Sequence, residues 1–379
     1  MRCVVKKIGQ DFNVSINNVI DSRKIHFVNR IDKDNLGDWL CSPLNYYYEY
    51  FSKFNIVRHD IDFIDWHEIK RDDIVIIGGS GMFNVTISFN ENINKLLNRC
   101  DNVIAWSVGF NTHDKQWFQG NEFPDILINK FKLCTIRDYN HDSKIEYLPC
   151  PSVFAFANSN FEIIKRKFGI IEHKDLPING DFYGIERISN AYSLSEVKNF
   201  ISTSECIITN SYHMGYWSLL LKKKVIIVDK FSTKFDYYKY RPIFIYTAGK
   251  SSKDLQEEIE KAFNEAENYS EAYNEAIELN NEFFSRVKTI IEQLNFPLKN
   301  SYQEFYEMSC LKSWNYQDKF KQIEEMSERI ENLQSNINNL HDELYSVINE
   351  KHDEYYQEMN AIRKGINLID IIKNIFKNH

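Results

Sequence analysis

Between residue 24 and about residue 247 the chain repeats one pattern: a short Ile- and Val-rich run, then a longer stretch of helical character. The runs in the first half are Lys24–Asn29, Ile74–Gly78, Val103–Val108 and Leu133–Arg137. Those in the second half are Phe168–His173, Gly184–Ser189, Cys206–Thr209 and Val225–Asp229. A strand with one wet face alternates apolar and polar residues, so runs without that alternation fit strands covered on both faces, as in parallel sheets. Their alternation with helices predicts βαβ units and doubly wound sheets. An irregular stretch near Ala155–Lys165 separates the two sets. The expected fold is therefore α/β, with two Rossmann-like domains (1–155 and 156–250) facing a cleft.

Beyond Ser251 the strand signal stops. Residues 251–313 are Glu- and Ala-rich and predict helix. Residues 314–379 predict a coiled coil and an amphipathic tail. Ile323, Ile330, Ile337 and Leu344 fall at one seven-residue spacing; Met326, Leu333, Leu340 and Val347 fall at the other. Mostly Ile at a and Leu at d favours a parallel two-stranded coiled coil, so a homodimer or higher oligomer through 320–350 is expected. A long helix packed on its own domain is the alternative. In the tail, 361–379, Ile362, Ile366, Ile369, Ile372 and Phe376 are interspersed with Arg363, Lys364, Lys373 and Lys377. That pattern suits peripheral contact with an anionic membrane, or docking on the protein itself.

A net charge of −8 argues against general nucleic-acid binding, which needs an excess of Lys and Arg on one face. The seven cysteines are scattered, odd in number and without a CxxC pair, which fits a reduced setting without structural zinc. The N-terminal MRCVVKKIGQDFNV lacks the apolar core of a signal peptide, and no run of about 20 apolar residues occurs. A cytoplasmic protein is expected, at the inner face of the membrane if the tail engages lipid.

In an open α/β sheet, ligands bind beyond the carboxyl ends of the strands. Those ends deliver Asn35 and Asp38, then Gly79, Ser80 and Gly81, then His113 and Arg137. In the second half they deliver His173, Asn210, Ser211 and His213, and finally Ser232 and Lys234. His213 and His113 are acid/base candidates because imidazole titrates nearest neutrality, although a lone histidine is more often a structural hydrogen-bonder. Arg137 and Lys234 supply positive charge for phosphate or carboxylate, or pair with a neighbour such as Asp138. Ser211 opens a helix whose first N–H groups suit an anion. Asn35 and Asp38 flank a glycine at a helix start, where capping competes with substrate contact. GGSGMF is neither GxGxxG nor a GxxxxGK phosphate loop. No carboxylate cluster or HxxxH spacing supports a metal.

Taken in order, NLGD (35–38), IVIIGGSGMF (74–83), IAWSVGFNTHD (104–114), TIRDYN (135–140), YLPCPS (147–152), ITNSYHMGYWSLL (208–220) and VDKFSTKF (228–235) resemble the polysaccharide pyruvyl transferase family. The resemblance covers about 24–240. It implies a GT-B-like pair of domains and transfer of pyruvate from phosphoenolpyruvate onto a sugar hydroxyl as a ketal, in capsule or exopolysaccharide assembly. No cofactor is required, and the acceptor is a glycan or lipid-linked sugar. Ser211 and His213 fall on the family's S-x-H-G motif, Arg137 on its basic position, and Asn35 and Asp38 on its N-x-G-D loop. The glycine expected after the histidine is Met214 here, with Gly215 next. On this reading His213, His113 and Asp38 are catalytic. Arg137, Ser211, Asn210, Lys234, His173 and Ser232 bind donor; Asn35, Gly79, Ser80 and Gly81 bind acceptor. A glycosyltransferase using a nucleotide sugar, and a non-catalytic coiled-coil assembly protein, are the alternatives.

Overall fold

Successive side chains of a strand point to opposite faces of its sheet, and here both faces are covered. The computed structural model describes residues 22–32, 34–83, 86–112, 125–157, 163–180, 182, 184–299 and 316–377. In its first sheet Val75 and Ile77 pack on one side with Ile93 and Leu96 of a helix, while Ile74 and Ile76 pack on the other with Phe283 and Val287. Two apolar surfaces on one strand leave no place for polar alternation.

That sheet comprises β1 (Ile25–Asn29), β2 (Ile56–Asp60), β3 (Ile74–Gly78), β4 (Asn102–Val108), β5 (Leu133–Ile136) and β6 (Glu146–Tyr147), in the order β2-β1-β3-β4-β5-β6. Its helices are α1 (Leu36–Leu40), α2 (Tyr48–Phe51), α3 (Ile87–Arg99) and α4 (Asp125–Ile128). The second sheet comprises β7 (Arg166–Glu172), β8 (Arg187–Ser189), β9 (Ser204–Thr209), β10 (Lys224–Val228) and β11 (Ile243–Ile245), in the order β8-β7-β9-β10-β11. Here α5 (Leu194–Ser202) and α6 (Tyr212–Leu220) precede α7 (Ser252–Glu265) and α8 (Ala272–Gln293). All pairings are parallel.

Three strands escape the sequence pattern. β2 (IVRHD) is a partly exposed edge strand with polar residues, and β6 and β11 are too short to show a period. The run expected over Gly184–Ser189 pairs only from Arg187, and β7 begins two residues earlier than its apolar run.

The two sheets are joined by more than the chain between them. α8 places Ala272 and Ala276 in the core of the second sheet, then Phe283, Val287 and Ile291 in that of the first. At the crossing, Trp106 Nε1 donates to Asn280 Oδ1 at 2.9 Å, and Asn280 Nδ2 donates to the Pro149 and Ala276 carbonyls at 3.0 and 2.9 Å. Trp106 and Asn280 are fully buried.

The chain packs as two units, 1–299 and 300–379. The second contains α9 (Tyr316–Lys377), a helix of 62 residues. Ile330, Leu333, Ile337, Leu340, Leu344 and Val347 of the expected seam are all more than half exposed on it. The side chains of Ile323 and Met326, and most of those beyond Gly365, lie outside the described residues. No helix among the described residues is long and apolar enough to cross a membrane.

Replacing Asn280 by Leu strands the Trp106 N–H and the Pro149 carbonyl in a dry interior, at about 1–3 kcal/mol for each unsatisfied group. Denaturant unfolding followed by tryptophan fluorescence should show a loss of about 2–4 kcal/mol. A loss below about 0.5 kcal/mol would show that this crossing does not hold the sheets.

Candidate active site

Counted within each sheet, the strand order is 2-1-3-4-5-6 in the first and 2-1-3-4-5 in the second, so chain direction across each sheet reverses between its first and third strands. The crevice at that reversal is where open α/β sheets bind ligands. In the first sheet it lies between β1 and β3, whose loops carry Asn35, Asp38 and Ser80. In the second it lies between β7 and β9, whose loops carry His173, Ser211 and His213. The crevices face one another across a cleft of about 1240 Å³ that Arg137, Lys234, Gly81 and Asn111 also line.

On the first wall Asn35 caps α1, its Oδ1 accepting from the Gly37 N–H at 3.2 Å. Its Nδ2 donates to Asp38 Oδ2 at 3.0 Å, and Ser80 Oγ donates to Asp38 Oδ1 at 2.6 Å. Capping and site geometry thus coexist in one asparagine. Both oxygens of Asp38 are held by donors, and burial raises its pKa, which makes it a stronger proton acceptor. Gly79 does not line the cleft. It turns the chain at φ +39°, with its Cβ position 2.4 Å from the Cys41 carbonyl.

Arg137 enters from the end of β5 and is 4% exposed. Its guanidinium stacks 4.0 Å from the centre of the Tyr212 ring and lies 3.5 Å from His213 Nε2. The glycines of two neighbouring loops make room for it: a Cβ on Gly109 or Gly81 would sit 2.3 or 2.8 Å from its nitrogens. The glycine loop is therefore a socket for an arginine. Asp138 attracts it but makes no ion pair with it within 4 Å. Asp138 Oδ2 accepts from the Phe110 N–H at 2.7 Å, its Oδ1 and Arg137 Nε are buried without partners, and burial pushes its pKa to about 7.

His213 sits in the first turn of α6. Gly37 gives it space, since a Cβ there would lie 2.2 Å from Nδ1. Burial, then Arg137 and Lys234, hold its pKa well below the usual histidine value. Lys234 is partly buried, with Nζ 4.7 Å from the Phe231 ring, and burial followed by Arg137 lowers its pKa to about 7. Among the described residues neither Arg137 nor Lys234 has a carboxylate within ion-pair distance. Two crowded cations beside a helix start define a place for an anion.

Two expected ligand contacts are supports instead. Asn210 accepts from the His173 N–H at 2.8 Å and donates to the Leu176 carbonyl at 2.6 Å, holding the loop after β7. Ser232 caps the short helix Thr233–Tyr237 and donates to Asn111 Oδ1. Neither lines the cleft. His173 does, and burial, then Lys234, lowers its pKa to about 4. His113 lies outside the described residues. Met214 is fully buried in the core behind the site, and Gly215 lets α6 approach Tyr238, whose Oη would be 2.7 Å from a Cβ. The displaced glycine is thus absorbed by packing away from the cleft.

Sequence reasoning missed Tyr212, which underlies Arg137. It also missed Lys174 and Asp32, which join the cleft walls through a 2.9 Å ion pair. Each follows a strand end, but nothing in composition marks residues so distant in sequence as partners. Among the described residues no group of three or more His, Cys, Asp or Glu gathers as metal ligands.

Gly37→Ala should displace the His213 imidazole and cost activity to nearly the extent of His213→Ala, with thermal unfolding changed by only a few degrees. Activity equal to the parent would show that the socket is not needed. The unfolded chain binds more protons at Lys234 between pH 7 and 10.5, so this group's contribution to stability rises across that window. Its charge in the folded protein is lost above about pH 7. Calorimetry with sulfate, whose charge is constant there, should show several-fold weaker binding at pH 8.5 than at 6.5, and Lys234→Arg should reduce the loss to the share that Asp138 causes by gaining its charge over the same range.

Several solved structures are similar at low identity. An uncharacterised protein from Klebsiella pneumoniae subsp. pneumoniae NTUH-K2044 shares 13% identity over 59% of this chain and 92% of its own, with a TM-score of 0.36. A UDP-GlcNAc 2-epimerase from Methanocaldococcus jannaschii shares 12% over 70% and 99%, with a TM-score of 0.43. The wall teichoic acid polymerase TagF shares 10% over 72% and 89%, with a TM-score of 0.35. Likenesses at this level say nothing about what the chain acts on. No curated protein matches. The family model for polysaccharide pyruvyl transferase matches residues 15–229, more than half the chain and every strand of the site except β11. The chain belongs to the polysaccharide pyruvyl transferase family.

Proposed function

We propose that the chain transfers pyruvate from phosphoenolpyruvate to a sugar hydroxyl of a surface glycan or its lipid-linked precursor. The observation that supports this most is the pair of cations, Arg137 and Lys234, left without a carboxylate partner beside His213. Phosphoenolpyruvate carries two anionic groups, phosphate and carboxylate, that match them. The 1240 Å³ cleft exceeds the roughly 300–1,000 Å³ of an ordinary small-ligand pocket, leaving room for a saccharide beside a three-carbon donor.

In the proposed reaction a proton adds to C3 of the donor, turning its methylene into a methyl group, while a sugar hydroxyl forms a bond to C2. Asp38, held by Ser80 and Asn35, takes that hydroxyl's proton. His213 is the acid toward C3. Burial and then Arg137 and Lys234 hold its pKa down, and the negative charges of the donor offset the two cations and so raise it. The C2–O bond to phosphate then breaks, and a second hydroxyl of the same sugar attacks C2 and loses its proton. The products are the cyclic ketal and inorganic phosphate. Ser211, the first N–H groups of α6 and His173 border the donor, and the Asn35 loop borders the acceptor. The chemistry requires no metal or cofactor.

A thermal-shift panel of phosphoenolpyruvate against UDP- and CMP-sugars should respond to phosphoenolpyruvate. Asp38→Asn should retain that response while acceptor-dependent phosphate release falls about 10²–10⁴-fold. Arg137→Ala should lose the response itself. Stabilisation by nucleotide sugars alone would replace this reading with glycosyl transfer. Silence to both classes, with His213→Ala leaving cellular glycan unchanged, would favour a non-catalytic assembly role.

A further inference from the structure

The apolar stripe of α9 does not stop where its heptads stop. In the first register, a and d positions run through Ile330, Leu333, Ile337, Leu340, Leu344 and Val347, all more than half exposed. The next a and d positions would be Lys351 and Glu354, which pair with each other at 2.6 Å along the helix surface. One residue out of step, a second stripe begins. Tyr345 and Met359 take a, with His352 between them, while Ile348, Tyr355 and Ile362 take d. Apart from His352 these are again more than half exposed. Ile366, Ile369 and Phe376 continue the same spacing in sequence.

The change of step has a geometric meaning. From Ile337 to His352 the seam uses about fifteen residues for four turns, a heptad plus two insertions of four. At about 3.75 residues per turn, above the 3.6 of a straight helix, a left-handed supercoil unwinds locally, and the seam passes from one stripe to the other while facing the same partner. Where the stripes overlap, Leu344, Tyr345, Val347 and Ile348 widen the apolar face, as such a passage requires.

We propose that α9 forms one parallel, in-register coiled coil with a second copy of this chain, running through the change of step to at least Ile362. The occupant follows from three features. Ile at a with Leu at d in the first segment is the pattern that favours two strands in a parallel coiled coil. A 62-residue helix depends on packing rather than on propensity. An unrelated partner would need the same change of step at the same place, whereas an identical parallel helix carries it by construction. The first residues of the basic tail, as far as Ile362, are then part of the seam rather than of a separate membrane anchor.

Light scattering on the full chain should give twice the 45.1 kDa chain mass. Under mild oxidation Leu340→Cys and Ile362→Cys should each give a disulfide-linked dimer, because d-position Cα atoms lie within bridging range, and Lys351→Cys should not. A monomeric mass would overturn the assembly. A dimer cross-linked at Leu340 but not at Ile362 would overturn the second register, and so would cross-linking at Lys351. If phosphatidylglycerol vesicles bind the chain and abolish only the Ile362 cross-link, that stripe belongs to a membrane surface.

Discussion

The candidate site depends on an apolar core that belongs to neither sheet alone. Leu40 and Cys41 from the first domain, Cys150 and Val153 from the connection, Tyr212 and Trp217 from α6, and Ala272 and Ala276 from α8 all pack together at the base of the cleft. Burial of this kind is non-directional, but it seats α1 against α6, and those two helix starts carry Asp38 and His213. α8 then returns to the first sheet and pins it through Trp106 and Asn280. The groups proposed to react are therefore positioned by the same contacts that join the domains.

Within that frame the chemistry rests on backbone proximity. Gly37, Gly81 and Gly109 stand where a methyl group would strike His213 or Arg137. Burial first, and then the closeness of Arg137, lowers the pKa of both His213 and Lys234, and a buried cation is costly without an anion. Asp38 works the other way: donors from Asn35 and Ser80 keep a carboxylate satisfied where burial would otherwise protonate it. Opposed environments for neighbouring titratable groups are what the proposed acid and base roles require.

Much of this was legible in the residues. Unalternated Ile and Val runs mark strands with two dry faces, and the rule that ligands gather at strand carboxyl ends picked out Asn35, Asp38, Ser80, Arg137, His173, Ser211, His213 and Lys234, all of which line the cleft. The rule failed where a polar side chain at a strand end turns back to its own loop, as Asn210 and Ser232 do. No periodicity distinguishes a side chain that faces a ligand from one that secures the backbone behind it.

Sequence alone determined the two parallel sheets, the heptads of the C-terminal helix and the family, because each is written as a local, repeated pattern. Only tertiary structure decided that the glycines are sockets for Arg137 and His213, that Asp138 accepts from the Phe110 N–H, and that Met214 is buried in the core. The sockets join residues tens of positions apart, each glycine standing within about 3 Å of the side chain it admits. A local pattern constrains which way a side chain faces, but contact across the fold is set by how the sheets and helices pack, and packing is a property of the whole chain.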